Sequence, residues 1–190
     1  WPFRCLPRSS TPTSGSIRMA DGPLIAVLAA GRGTRFGGGK MEAICAGKPL
    51  GRWALDAVER AGLRPGIVVS GPEGVGFAQG WTQVVNADPE SGLGSSLALA
   101  ASMALSSGRK ALLVLLADMP LIPPSYLRDM AVGPAPMATR YPDGHPGVPA
   151  LLGKPLIVRA ARLAGDRGAG PLLAQARLLD APPDSLRDVD

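Results

Sequence analysis

Cysteine is nearly missing from this sequence, with Cys5 and Cys45 the only two in 190 residues. One of them lies in a Ser/Thr/Pro-rich opening stretch, so neither a disulfide framework nor a cysteine-based zinc site is supported. A reducing, cytoplasmic setting is expected. Long apolar runs are missing too. The longest, Ala111 to Ala117, is strand-sized and falls well short of the roughly 20 residues that span a bilayer, so no membrane partner is expected. Residues 1–18 (WPFRCLPRSSTPTSGSIR) lack the apolar segment of a secretory signal and are expected to be a disordered extension ahead of a single domain at 19–190. That stretch has no acidic residue but carries Arg4, Arg8 and Arg18. With those three set aside, 17 basic residues face 15 acidic ones, and the formal charge of +5 drops to +2. No broad basic face remains for a nucleic-acid backbone. Histidine is scarcer still, since His145 stands alone.

What the chain does have is an alternation of strand-length apolar runs with helix-period segments, the pattern of an α/β protein whose mostly parallel sheet is covered by helices on both faces. Strands are predicted at Leu24 to Ala30, in "GIVVSG", in "TQVVNAD" and in "KALLVLLADMPLI", the last of which reads as buried on both faces. Helices are predicted from about Leu50 to Ala61 and through "SGLGSSLALAASMALSSG". Residues 72–81 read as a glycine-punctuated loop with room for a short helical turn. After Ile122 proline and glycine become frequent; "MATRYPDGHPGVPALLG" reads as two strands around an Asp-Gly turn, followed by helices at 155–164 and 170–178. This half should add antiparallel strands and the second wall of a cleft.

The stretch that asks for a function is "LAAGRGTRFGGGK", residues 28–40, where five glycines and Arg32, Arg35 and Lys40 follow a buried strand. Glycine costs ordering entropy, so the grouping suggests that backbone must closely approach an anion. A Walker A loop does not fit, because Thr34 and Met41 occupy its required Gly and Ser/Thr positions. The dinucleotide fingerprint begins correctly with Gly31 and Gly33 but has Phe36 in place of its third glycine, and "GIVVSG" offers no acidic residue for a ribose.

The remaining pattern, a small-residue strand end, then Gly-x-Gly-x-Arg and a lysine, resembles the MobA-like nucleotidyltransferases and most closely the MocA-type molybdenum cofactor cytidylyltransferases. The residues that carry the resemblance are Leu28, Ala29, Ala30, Gly31, Gly33, Arg35, Gly37 and Lys40. It continues in order through "GLGSSL" at 92–97, "LADMP" at 116–120, "GHP" at 144–146, "GDRGA" at 165–169 and "DVD" at 188–190, spanning residues 23–190. The resemblance implies a three-layer Rossmann-like, GT-A-like fold with a mostly parallel mixed sheet. It also implies a Mg2+-dependent transferase that moves CMP from CTP to the phosphate of a molybdopterin-type acceptor, with a molybdoenzyme or its chaperone as a further partner. Guanylyl transfer from GTP is the alternative within the family; a nicotinamide-dinucleotide oxidoreductase and a non-catalytic nucleotide-binding module are alternatives outside that activity.

Individual residues keep two readings each. Asp118, at the carboxyl end of the most buried strand, is a Mg2+ ligand or a helix N-cap. Arg35 and Lys40 neutralise a triphosphate or are solvated loop charges. Gly94, Ser95 and Ser96 open a helix and cap it, present amides and hydroxyls to a ligand, or do both; the resemblance places Gly94 and Ser95 beside base and ribose. His145 belongs to acceptor binding or to the shape of its turn, since an already ionised phosphate nucleophile needs no histidine base. Asp166 is an N-cap or, by the resemblance, part of the acceptor side. Asp190 matches the family position that can complete the metal site, where the resemblance leads one to expect a Thr-Pro-Glu-Asp continuation that this sequence does not show. Ala30 stands where guanylyl-transferring relatives commonly carry glycine, and its methyl should disfavour the larger purine. The chain departs from the family's pattern in having "GGGK" for Gly-x-Asp-Lys and Gly170 where many relatives have arginine.

Overall fold

The computed structural model describes residues 22–31, 39–163 and 169–186. Leu24–Leu28 forms β1, and a two-residue hairpin, β2 (Ile44–Cys45) with β3 (Lys48–Pro49), leads into α1 (Leu50–Arg60). Then follow β4 (Ile67–Ser70), β5 (Thr82–Val85), α2 (Leu93–Ser106), β6 (Ala111–Leu116) and α3 (Pro124–Val132). The second half contains β7 (Met137–Arg140), β8 (Pro146–Gly153), α4 (Lys154–Ala160), α5 (Gly170–Leu173) and β9 (Arg177–Asp180).

Among the described residues, seven strands make one sheet in the order β5-β4-β1-β6-β8-β7-β9. β1 is parallel to both β4 and β6, with Leu28 opposite Val69 on one side and Leu116 on the other. Antiparallel β8 pairs with β6 and β7, and β9 runs parallel to β7. The fold is thus a mixed, mostly parallel α/β sheet of the Rossmann-like type. The carboxyl ends of β1, β4, β5, β6, β7 and β9 all reach one edge, which is where open α/β sheets bind ligands.

The chain steps outward from β1 through β4 to β5 and then returns through α2 to β6. Right-handed crossovers therefore set α1 and α2 on opposite faces. Burial follows: Ala26, Val27, Val68, Val69, Leu112 and Leu113 are fully covered. Helix α2 packs against α4, and α1 against α3, where Arg128 Nε donates to the carbonyl of Ala61 at 3.0 Å. Gly62 and Gly108, both left-handed, end α1 and α2; the residue after each donates to a carbonyl five positions back, closing the helix ends.

Several predicted bounds are corrected. The strand expected through "KALLVLLADMPLI" stops at Leu116, because Asp118 and the prolines beyond it turn the chain away from the ladder, and "TQVVNAD" pairs only to Val85. Residues 72–81 make turns without a helix. The helix predicted at 155–164 begins at Lys154 and closes at Ala160. The helix predicted at 170–178 ends at Leu173, and Arg177–Asp180 is a strand, drawn into the sheet by the open edge of β7. No helix among the described residues is long and apolar enough to cross a membrane.

Candidate active site

The ladders that β1 makes with β6 and with β4 each extend one step past the strands. The Ala117 N–H donates to the Leu28 carbonyl at 3.0 Å, and the Ala29 N–H to the Val69 carbonyl at 2.8 Å. This stitching fixes Ala30 and Gly31 beside Asp118 at the carboxyl edge. Next to them a cleft of about 450 Å³ opens, lined on the sheet side by Leu28, Ala30, Gly31, Met41, Leu116 and Asp118. Its other wall comes from Pro89, Glu90, Gly92, Leu93 and Ser96, at and just before the amino end of α2.

Lys40 opens a short 3-10 turn, Lys40–Glu42, that begins after left-handed Gly39. Its Nζ lies 3.6 Å from Asp118 Oδ2, and the side chains are 10% and 22% exposed. A nearly covered cation therefore faces a partly covered carboxylate at one end of the cleft. The fourteen-residue helix α2 directs the amide-rich, electropositive end of its dipole toward the same space, so the cleft is suited to an anion.

The α2 wall is held by Asn86, which is buried where β5 ends. Its Nδ2 donates to Ser95 Oγ at 2.8 Å and to Ser96 Oγ at 3.0 Å, while its Oδ1 accepts the Asp88 N–H at 3.1 Å. Ser95 Oγ in turn donates to the Gly92 carbonyl at 2.8 Å. Ser95 thus ties the helix start to its own loop, and Ser96 is the serine among the residues that line the cleft. Gly94 is buried and, like Ser95, is not among the lining residues. The sequence offered Ser96 together with Gly94 and Ser95, while the family resemblance pointed to Gly94 and Ser95; the position of Ser96 one helical turn after Gly92 and Leu93 was the signal that separates them. Asn86, Met41 and Glu90 carried no motif that would have found them.

His145 occupies the turn between β7 and β8, on the same edge of the sheet but outside this cleft, and is 81% exposed. Its N–H donates to Asp143 Oδ1 at 3.0 Å, and its Nδ1 lies 3.3 Å from Asp143 Oδ2. That backbone bond, aided by the charge of the imidazole, lowers the Asp143 carboxyl from its ordinary range. A second cleft, of about 630 Å³, opens farther along the edge between Arg140, Tyr141, Asp180 and Pro182. Gly33, Arg35, Gly37, Asp166 and Asp190 lie outside the described residues.

The donor set suits a hard cation shared with a ligand. Among the described residues no three of His, Cys, Asp and Glu converge as a closed metal site, whereas Asp118 offers carboxylate oxygen inside the cleft. Mg2+ is commonly held by one or two carboxylates, with phosphate oxygens and water completing its shell.

The family model for the MobA-like NTP transferase domain matches residues 25–181. The chain belongs to this family. Membership makes it a nucleotidyltransferase whose substrate class is a nucleoside triphosphate. Among solved structures, it is similar to Rv0371c from Mycobacterium tuberculosis, at 26% identity and a TM-score of 0.70, over 88% of this chain and 93% of that one. A structure of Rv0371c in complex with manganese matches at 28% identity and a TM-score of 0.64, over 84% and 88% of the two chains. A nucleotidyl transferase from Methanothermobacter shares the fold at 23% identity, with a TM-score of 0.71 over 89% and 92%. No functionally curated protein matches the sequence.

Proposed function

We propose that this MobA-like transferase moves the cytidylyl group of CTP to the phosphate of a molybdopterin-type acceptor. The observation that carries the reading is the Lys40–Asp118 pair, 3.6 Å apart, at the end of a cleft that the α2 amino terminus also faces. An oxygen of the acceptor phosphate attacks the α-phosphorus of CTP and forms the new P–O bond. The bond from that phosphorus to the bridging oxygen of the β-phosphate breaks, and pyrophosphate leaves with its electron pair. The attacking phosphate is already ionised, so no base is required, and rate comes from alignment and charge stabilisation.

Lys40 holds the triphosphate against the glycine loop, with Arg35 alongside by the family resemblance. Mg2+ bound to Asp118 would neutralise phosphate charge, and a divalent ion is in keeping with the structure of Rv0371c in complex with manganese. By the same resemblance Asp190 completes that site. Ser96 and the apolar walls at Leu28, Leu93 and Leu116 take the nucleoside, with Gly94 and Ser95 keeping the helix start beside it. The Ala30 methyl narrows the cleft and favours the pyrimidine, a contact of about 1 to 3 kcal/mol at most. The acceptor extends along the sheet edge toward His145 and the second cleft, whose strand β7 stands two strand spacings, about 10 Å, from β6, and by the family resemblance Asp166 belongs to the acceptor side.

The test is pyrophosphate release from protein incubated with Mg2+, molybdopterin and either CTP or GTP. Release with CTP is expected. Release with GTP alone would reassign the enzyme to guanylyl transfer, and tight CTP binding without release would make it a binding module.

A further inference from the structure

Glu42 lies outside the cleft but shares a single turn with Met41, which lines it, and Lys40, which pairs with the lining Asp118. Within Lys40–Glu42, Lys40 faces Asp118, Met41 is buried in the cleft lining, and Glu42 points away to the connection between β4 and β5. There its Oε1 accepts the backbone N–H of Gly76 at 2.5 Å, a contact between residues 34 apart in sequence. The receiving segment is firmly held. Gln83 grips Val75 from both sides, with Nε2 donating to its carbonyl and Oε1 accepting its N–H, each at 2.9 Å. Phe77, 2% exposed, is wedged under α1 so tightly that a Cβ on Gly51 would stand 2.3 Å from the ring. On the other side of the turn, the Ala43 carbonyl accepts the Leu50 N–H at 2.9 Å and ties the chain to the start of α1.

From this geometry we infer that Glu42 is a positioning residue: by clamping the turn to the Val75–Phe77 segment, it holds the Lys40 ammonium where a triphosphate meets it. The inference rests on the phosphate-binding reading of Lys40 given above. A long, flexible lysine following a glycine-rich loop needs such support, because its contribution depends on being in place before the ligand arrives. The buttressing segment itself contributes no residue to the cleft lining.

Three variants separate reach from charge. Glu42→Ala removes the acceptor, Glu42→Gln keeps Oε1 at the same reach without the charge, and Glu42→Asp keeps the charge but falls a methylene short. Calorimetric titration with CTP and with inorganic tripolyphosphate, both with Mg2+, should show Glu42→Ala and Glu42→Asp binding each roughly tenfold more weakly than wild type. Glu42→Gln should recover most of the affinity. Thermal midpoints of the three should agree, since Glu42 is exposed. If Glu42→Ala and Glu42→Asp bind like wild type, or Glu42→Gln loses as much as Glu42→Ala, the clamp is refuted while the phosphate site stands. If wild type takes up neither CTP nor tripolyphosphate, the phosphate reading falls first and the inference falls with it.

Discussion

Asp118 and Lys40 approach to 3.6 Å with most of their side-chain surface covered, so each gives up hydration and their attraction offsets part of that cost. On the proposed function, phosphate and a divalent cation would share both charges. Asp118→Asn preserves size and removes the charge that would hold a divalent ion. Product formation should fall by about two orders of magnitude or more, the scale for losing one electrostatic group at a reacting centre. Metal-free nucleotide binding should hold or improve, because a negative charge has gone from beside the phosphates. Pyrophosphate release and metal-free titration check the two halves; an unchanged rate would remove Asp118 from the chemistry. The place of Asp118 at the sheet's carboxyl edge was legible in the sequence because an uninterrupted Leu/Val run ended on a lone carboxylate, though only the accompanying motifs favoured a ligand over an N-cap. Ser96 was not, because choosing between adjacent serines requires the rotation of α2 against the sheet.

The ion pairs around α1 show how one element is fastened. Asp56 accepts from Lys48 and, at 2.6 Å, from Arg52 Nε; Arg52 also reaches Glu59 at 2.8 Å, and Glu59 accepts Trp81 Nε1–H at 3.0 Å. Lys48 sits 3.6 Å over the Trp53 ring, and Trp53 Nε1 donates to the Cys45 carbonyl, so the hairpin is bound to the helix. Burial alone would raise the Asp56 carboxyl, but its bonds to Lys48 and Arg52 and their charges outweigh that effect and lower it below the usual 3.8. A depressed carboxyl stabilises the fold above its unfolded pKa and ceases to do so as acid protonates it in the folded state. Asp56→Asn should therefore cost about 1 kcal/mol near neutrality, and the gap from wild type should close as pH falls below 3.8. Denaturant titrations at pH 7 and pH 3 measure both; a gap that does not depend on pH would contradict the assignment. The regular strands and α1 and α2 were legible because burial imposes period and composition on them. The hairpin Ile44–Pro49 and β9 were not, because a two-residue pair and a four-residue edge strand bury too little to leave a pattern. In β9 the ordering comes from outside: Arg177 N–H donates to the Pro136 carbonyl at 3.0 Å, and the Tyr126 hydroxyl donates to the Leu179 carbonyl at 3.1 Å.

At the scale of the whole molecule, the cleft exists only when distant parts of the chain are folded together. Leu28 to Gly31, the Lys40 turn, the start of α2 and Asp118 are brought to one place by strand order, and no segment carries more than a part of the cleft. A nucleotide that binds there binds the native state and not the unfolded chain, so it must raise the unfolding temperature. At a hundred times its dissociation constant the gain is about 2.7 kcal/mol. For a chain of this size that corresponds to a rise of roughly 5 to 10 °C. With Mg2+ present, CTP should give the largest rise among the four ribonucleoside triphosphates. UTP tests the amine of the base, and GTP tests the room that the Ala30 methyl leaves. Repeating the scan with Lys40→Met should shrink all four shifts together, because a phosphate contact is blind to the base, whereas Ala30→Gly should narrow the gap between CTP and GTP. Equal shifts for all four nucleotides would overturn base selection by this cleft, and shifts unaffected by Lys40→Met would place the triphosphate elsewhere.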